Sequence, residues 1–240
     1  RDGARPGRDG RRVTAPPPSL PGLAHVGLLG RGGYADVYAY EQALPRRRVA
    51  VKVLRDAAAA PSLLAEADAL ARLQHPHIVP VYAAGLAPDG RAYLVLPLLP
   101  GPSLGERCRA RPLTVAQALR VGVQLAGAVE TAHRHGLLHR DLKPANVLVS
   151  AHGEALLADF GLAGRPADAE GADLGVSVPW AAPEVLFGGG AGTAASDVYS
   201  LAATLWTLLA GRSPHELPGH LDDDAARMLR RVRATPAEAL

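Results

Sequence analysis

The chain has 240 residues, 48% of them hydrophobic, which is enough for one substantial core or two small ones and excludes a disordered or fibrous protein. Its formal charge of +3 comes from five arginines against two aspartates in residues 1–12, leaving 21 basic and 21 acidic side chains beyond them; the excess belongs to a Gly/Pro/Arg tail, read as a solvated, disordered leader and not as a nucleic-acid surface. No apolar run approaches the roughly 18 residues of a membrane helix, no signal peptide is visible, and the lone Cys108 excludes an internal disulfide and points to a reducing compartment, the cytoplasm.

The chain begins at Arg1, which reads as the start of a trimmed or partial product, and the leader is assigned to residues 1–19. Ala15–Pro21 is proline-rich and predicts an extended linker. Three short apolar runs follow, Leu23–Leu29, Tyr34–Tyr40 and Val49–Leu54, and the turn residues between them predict an antiparallel meander. Pro61–Gln74 predicts a helix with Leu63, Ala67, Leu70 and Leu73 on one side and Pro61 in the first turn; His75-Pro76 stops it. Ile78–Ala84 and Arg91–Leu96 predict two more strands about a Pro88-Asp89-Gly90 turn.

The pattern changes after the Pro97–Pro102 break. Thr114–His135 predicts a long helix: Thr114 and Gln117 form a capping box, Ala118, Val121, Leu125, Ala128 and Ala132 share a face, and Gly136 ends it. Another helix runs from about Ser196 to Ala210 and is capped by Gly211. A β-rich first third before a helical remainder implies an α+β fold of two lobes, residues 20–96 and 97–240, joined at Pro97–Gly101.

Residue bias marks the chemistry. Among 26 basic residues only Lys52 and Lys143 are lysine, Asn146 is the sole asparagine, and Phe160 is one of two phenylalanines. All four fall in short motifs. His139-Arg140-Asp141-Leu142-Lys143-Pro144-Ala145-Asn146, with Asp159-Phe160-Gly161 beyond it, sets two carboxylates and a carboxamide on polar loops between apolar runs, a setting that suits magnesium and phosphate. Gly30-Arg31-Gly32-Gly33 lets a backbone approach a phosphate, although a plain hairpin turn explains it equally well. Lys52 on a strand needs a partner, for which Glu66 is suited; an ordinary ion pair is the competing reading.

Glycine loop, Val49-Ala50-Val51-Lys52, His-Arg-Asp, Asp-Phe-Gly and Ala182-Pro183-Glu184 occur here in the order of the protein-kinase signature. From Leu23 to Ser213 the chain resembles a eukaryotic-like serine/threonine protein kinase of the bacterial branch. The resemblance implies a bilobal kinase-like fold, a small antiparallel sheet plus one helix above a larger helical lobe, here shortened at the C-terminus. It implies ATP and magnesium, and protein substrates phosphorylated on serine or threonine in signalling. Asp141 would be the catalytic base, Lys143 would offset charge on the transferred group, and Asn146 and Asp159 would hold the metal. Lys52, held by Glu66, would grip the phosphates above Gly30, Gly32 and Gly33. Leu29, Val37, Ala50 and Leu148 would enclose the base, Leu96 would be the gatekeeper, and the backbone of Pro97 and Leu99 would meet its edge, Pro97 offering only its carbonyl. His139 and Phe160 are packing elements linked with Leu70, and Arg140 is of the kind that receives an activation-segment phosphate.

Two departures shape the expectations. Between Gly161 and Ala182 the one hydroxyl residue is Ser177, at a structural position, so activation without a phosphate in mid-segment is expected. Only 29 residues follow Gly211, so the helical lobe is read as reduced or truncated, with Leu221–Arg233 as one further helix carrying Leu221, Ala225, Met228, Leu229 and Val232 on its apolar side. No counterpart is evident of the late arginine that pairs with Glu184; Arg230 and Arg233 are candidate substitutes, read first as solvated. The alternative function is a pseudokinase or nucleotide-binding scaffold. A small-molecule phosphotransferase is disfavoured by Ala182-Pro183-Glu184 and Arg140, and the oligomeric state is left open.

Overall fold

The computed structural model describes residues 15–160, 177–188, 192–216 and 225–234. Strands β1 (Leu23–Arg31), β2 (Ala35–Gln42), β3 (Arg47–Leu54), β4 (Ala83–Leu86) and β5 (Ala92–Pro97) form one antiparallel sheet in the order β1-β2-β3-β5-β4. Period-two alternation gives the sheet two buried faces. Leu54, Ala92 and Leu94 pack against Ala60, Leu63, Ala67 and Leu70 of α1 (Ala60–Ala71), while Tyr38, Tyr40, Val49, Val51, Val53 and Val95 form a second core on the opposite side.

The proline-rich stretch expected as an extended linker is seated on that second face. Tyr40 Oη donates to Pro18 O at 2.6 Å, Arg91 Nη2 donates to Pro16 O at 2.7 Å, and Pro18 and Leu20 are buried. An apolar sheet face needs a cover, and proline carbonyls are free to accept hydrogen bonds; the expected leader boundary at residue 19 therefore falls inside packed structure. Residues 1–14 lie outside the described residues.

The helical half is built on α3 (Val115–Arg134) and α5 (Ala194–Ala210). Both begin with a reciprocal capping box, Thr114 with Gln117 and Thr193 with Ser196, and α5 ends on Gly211 in the left-handed conformation. The five residues expected on the inner face of α3 are all buried, and with Leu201 and Leu208 of α5 they border or join one core that continues through Leu142, Val147, Leu157 and Phe160 to Leu63, Leu70 and Leu94. The two halves are also joined by main chain: Val79 N donates to Leu157 O and Leu157 N to His77 O.

Several elements depart from expectation. The strand expected over Ile78–Ala84 forms only at Ala83–Leu86, since Ile78 pairs instead with Leu157 across the two halves. The short hairpin of β6 (Val147–Val149) and β7 (Ala155–Leu157) was not anticipated, nor was α2 (Leu104–Ala110), whose seven residues are too few to show a period. The last helix, α6 (Ala225–Ala234), buries Met228 and Val232 against Ala181 and Leu186, so it supports α4 (Pro183–Phe187). Leu221 lies outside the described residues.

Helix α2 explains a glycine that helix propensity disfavours. A Cβ on Gly105 would stand 2.8 Å from Ala145 N and 3.0 Å from Pro144 C, inside the 3-10 turn Pro144–Asn146. Gly105→Ala should thus destabilise the chain by about 1–3 kcal/mol through overpacking, although alanine is the better helix former by about 1 kcal/mol. Denaturant unfolding of the two proteins measures the sign.

Candidate active site

The loop from His139 to Asn146 is held from below by one carboxylate. Asp197, in the first turn of α5 and 1% exposed, accepts His139 N at 2.8 Å, Arg140 N at 2.8 Å and His133 Nε2 at 2.8 Å. Arg140 is thereby kept at φ 63°, a left-handed conformation that costs a residue with a side chain about 1 kcal/mol or more. Sequence reasoning did not single out Asp197. The signal available was an acidic residue on the inward face of a capped, mainly apolar helix.

His139 carries the order of this loop across to Asp159. It is fully buried; its Nδ1 accepts Asp141 N at 3.2 Å and its Nε2 donates to Ala158 O at 3.0 Å, which fixes the Nε2–H tautomer. The ring lies 4.7 Å from that of Phe160, which shares the main core with Leu70. Burial, the largest influence, pushes the imidazole below its ordinary range despite nearby carboxylates.

The polar side chains converge on two centres. At the first, Asp141 Oδ1 accepts Ser177 Oγ at 2.7 Å, while Oδ2 meets Lys143 Nζ at 2.8 Å and Asn146 Nδ2 at 3.1 Å. Lys143 Nζ also donates to Ser177 Oγ at 2.7 Å, and Asn146 Nδ2 to Asp141 O at 2.8 Å. At the second, Lys52 Nζ lies 2.8 Å from Asp159 Oδ1. Burial would raise the Asp159 carboxyl, but the charge and hydrogen bond of Lys52 outweigh it and hold the group below the usual carboxylate range. The Asp159 side chain remains 40% accessible, and its backbone, like that of Arg140, has positive φ, at 57°. Glu66 lies on α1, but its side chain, like Gly161, falls outside the described residues; the partner of Lys52 seen here is Asp159.

The donor set fits magnesium. With Asn146 Nδ2 turned to Asp141, its Oδ1 is left as an acceptor, and Asp159 adds carboxylate oxygens; hard oxygen donors are what that ion takes. Among the described residues no group of three or more His, Cys, Asp or Glu side chains forms a cage. None of Gly30, Gly32 and Gly33 has positive φ, and a Cβ on Gly30 or Gly33 would meet no atom within 4 Å. A Cβ on Gly32 would stand 3.2 Å from Ala35 O, so the turn itself favours glycine at that position; at Gly30 and Gly33 the fold makes no such demand, whereas a close-approaching ligand would.

The remaining candidates are distributed as follows. Val37 pairs with Lys52 and Ala39 with Ala50 in the β2–β3 register, so Val37, Ala50 and Lys52 lie on one face. Ala50 pairs with Leu96 and Val49 with Pro97, the last residue of β5. Leu96, Leu99 and Leu148 share one cluster with Val79, Leu156 and Ala158 and remain half-buried; Leu29 is 49% exposed. Among the described residues neither Arg230 nor Arg233 makes an ion pair with Glu184; Arg233 lies 5.7 Å over the ring of Phe187.

The sequence profile of the protein kinase domain matches residues 23–236. The chain belongs to the protein kinase domain family. Serine/threonine-protein kinase PknK of Mycobacterium bovis is 44% identical over 203 residues, 81% of this chain and 18% of that protein. PknH of Mycobacterium tuberculosis is 36% identical over 197 residues, covering 78% of this chain and 31% of the relative, and PknD of the same species 36% over 228, covering 88% and 34%. The matched part of this kinase domain therefore spans between 18% and 34% of the length of such relatives. No helix among its described residues is long and apolar enough to cross a membrane.

Two outcomes are expected. Losing the Ser177 hydroxyl removes two hydrogen bonds to charged groups, each worth about 1.5–3 kcal/mol, so Ser177→Ala should lower turnover about ten-fold or more while nucleotide affinity stays near wild type; steady-state kinetics with a direct binding assay checks this. Burial, the largest influence at each, also holds His75 and His215 below their ordinary value, as it does His139. Unfolding returns them to about 6.5, so the folded kinase domain binds fewer protons below that pH. Stability from this source is complete above pH 6.5 and falls as pH drops further, by up to about 1.4 kcal/mol per pH unit for each group. Denaturation midpoints between pH 7.5 and 5 should show the slope, and His139→Gln should make it shallower.

Proposed function

We propose that this kinase domain is the catalytic part of a bacterial serine/threonine protein kinase, transferring the γ-phosphoryl group of ATP to protein serine or threonine hydroxyls with magnesium. The observation that carries the reading is the Asp141 centre, where a carboxylate and an ammonium, that of Lys143, both hold the hydroxyl of a serine side chain. The same two groups would take a substrate hydroxyl: Asp141 accepts its proton and turns its oxygen toward the phosphorus, and Lys143 stands against the charge of the moving group. Asn146 keeps the Asp141 carboxylate in position through its amide. Lys52 and Asp159 bring to one place a cation for phosphate oxygens and a carboxylate for the metal. Asn146 and Asp159 would hold magnesium, which supplies charge neutralisation across the phosphates when bound.

Lys143, two positions after the base, and the names of the mycobacterial relatives support hydroxyl amino acids other than tyrosine as acceptors. The intact set of Lys52, Asp141, Asn146 and Asp159 favours transfer over a nucleotide-binding scaffold. A cytoplasmic signalling role is part of the proposal, in keeping with a single buried free cysteine, Cys108. The test is transfer of labelled γ-phosphate to a basic protein in magnesium, followed by phosphoamino-acid analysis. Label should appear on serine or threonine and vanish on chelation, and Asp141→Asn should lower the rate by about 10²–10⁴ while nucleotide still binds. Undiminished transfer by that variant, or label confined to tyrosine, overturns the assignment.

A further inference from the structure

The loop between β1 and β2 is tied down from the side of the sheet that faces away from Lys52. Residues 36, 38 and 40 of β2 alternate with Val37, and residues 49, 51, 53 and 55 alternate with Ala50 and Lys52, so Asp36 and Arg55 share the face that carries Tyr38 and Val53. The Asp36 side chain is 3% exposed, a costly place for a carboxylate without a cation. Arg55, the first residue beyond β3, supplies that cation: Nη2 and Nε donate to Asp36 Oδ1 at 2.6 and 3.1 Å. Its Nη1 donates to Gly33 O at 3.4 Å and its main-chain N to Tyr34 O at 2.9 Å. One residue thus binds the hairpin at Gly33, Tyr34 and Asp36; the β1–β2 ladder ends at the pair Arg31 and Asp36, and beyond it the turn is closed by a bond from Gly32 N to Ala35 O at 2.8 Å.

Three glycines in four residues lose much backbone freedom when ordered, and the neighbouring Tyr34 is 43% exposed and contributes little packing. The strand pairing that ends at Arg31 and Asp36 and the main-chain bond from Arg55 N to Tyr34 O hold the base of the hairpin, and the Arg55 guanidinium adds the side-chain ties to Asp36 and Gly33. We infer that Arg55 is a positioning residue for nucleotide phosphates, setting the glycine loop from behind the sheet without touching the nucleotide. This rests on the reading of Gly30–Gly33 as a phosphate cradle. It separates two parts of one ligand: phosphates feel the placement of the loop, whereas the nucleoside meets the half-buried apolar residues of the cleft.

The experiment compares binding of magnesium-ATP and of adenosine to the kinase domain, wild type against Arg55→Ala and Arg55→Lys, with thermal midpoints recorded in parallel. Arg55→Ala should weaken magnesium-ATP about ten-fold and leave adenosine within about two-fold. Arg55→Lys should fall between, because an ammonium keeps the charge beside Asp36 but cannot reproduce the guanidinium fork that also reaches Gly33. Should Arg55→Ala fail to fold, Arg55→Lys decides by the same criterion. Equal loss of both ligands, or unchanged ATP affinity in a folded variant, overturns the inference. A wild-type protein that binds neither ligand removes the nucleotide reading and this inference together, whereas wild-type binding matched by both variants removes only the latter.

Discussion

A buried carboxylate, Asp197, is the constraint on which the active-site geometry depends. It accepts two consecutive main-chain N–H groups, those of His139 and Arg140, and the left-handed backbone at Arg140 is sustained by that double acceptance. Turning the chain at Arg140 is what lets Asp141 N reach His139 Nδ1 and sends the Asp141 side chain toward Lys143 and Asn146. Because His139 also bonds Ala158 O, the same anchor governs the residue before Asp159. Helix α5 is itself secured by its capping box and by core residues such as Leu208, so the chemistry is referred back to a rigid helix.

The two centres differ in how they are held. Asp141 sits in a mesh in which Lys143 and Ser177 also bond each other and Asn146 holds both its carboxylate and its carbonyl, so its orientation is over-determined. Lys52 and Asp159 come from different halves of the molecule, one from a strand of the sheet and the other from the turn after β7, and meet through a single ion pair.

Much of this was legible in the sequence because it is written in local rules. The inner face of α3, the caps at Thr114 and Gly211 and the meander of β1 to β3 follow from periodicity and turn chemistry. What was illegible depends on contacts made at long range. Asp197 is 58 residues from His139 and nothing nearby announces its partners. Helix α2 is short, and the reason for Gly105 is a loop forty residues on. Ile78 left its expected strand for a partner, Leu157, that no pattern within the segment indicates. The proline-rich stretch misled because composition reports what a segment can do alone, while its position here is set by the exposed apolar face waiting for it.

That covering stretch bears on where this domain starts as a folding unit. A preparation begun at the first strand would leave the aromatic and valine side of its sheet wet, and two such molecules would have reason to stick together through it. The segment just ahead of Leu23 therefore serves as a built-in sealant, and its prolines, already stiff, lose little freedom in lying down.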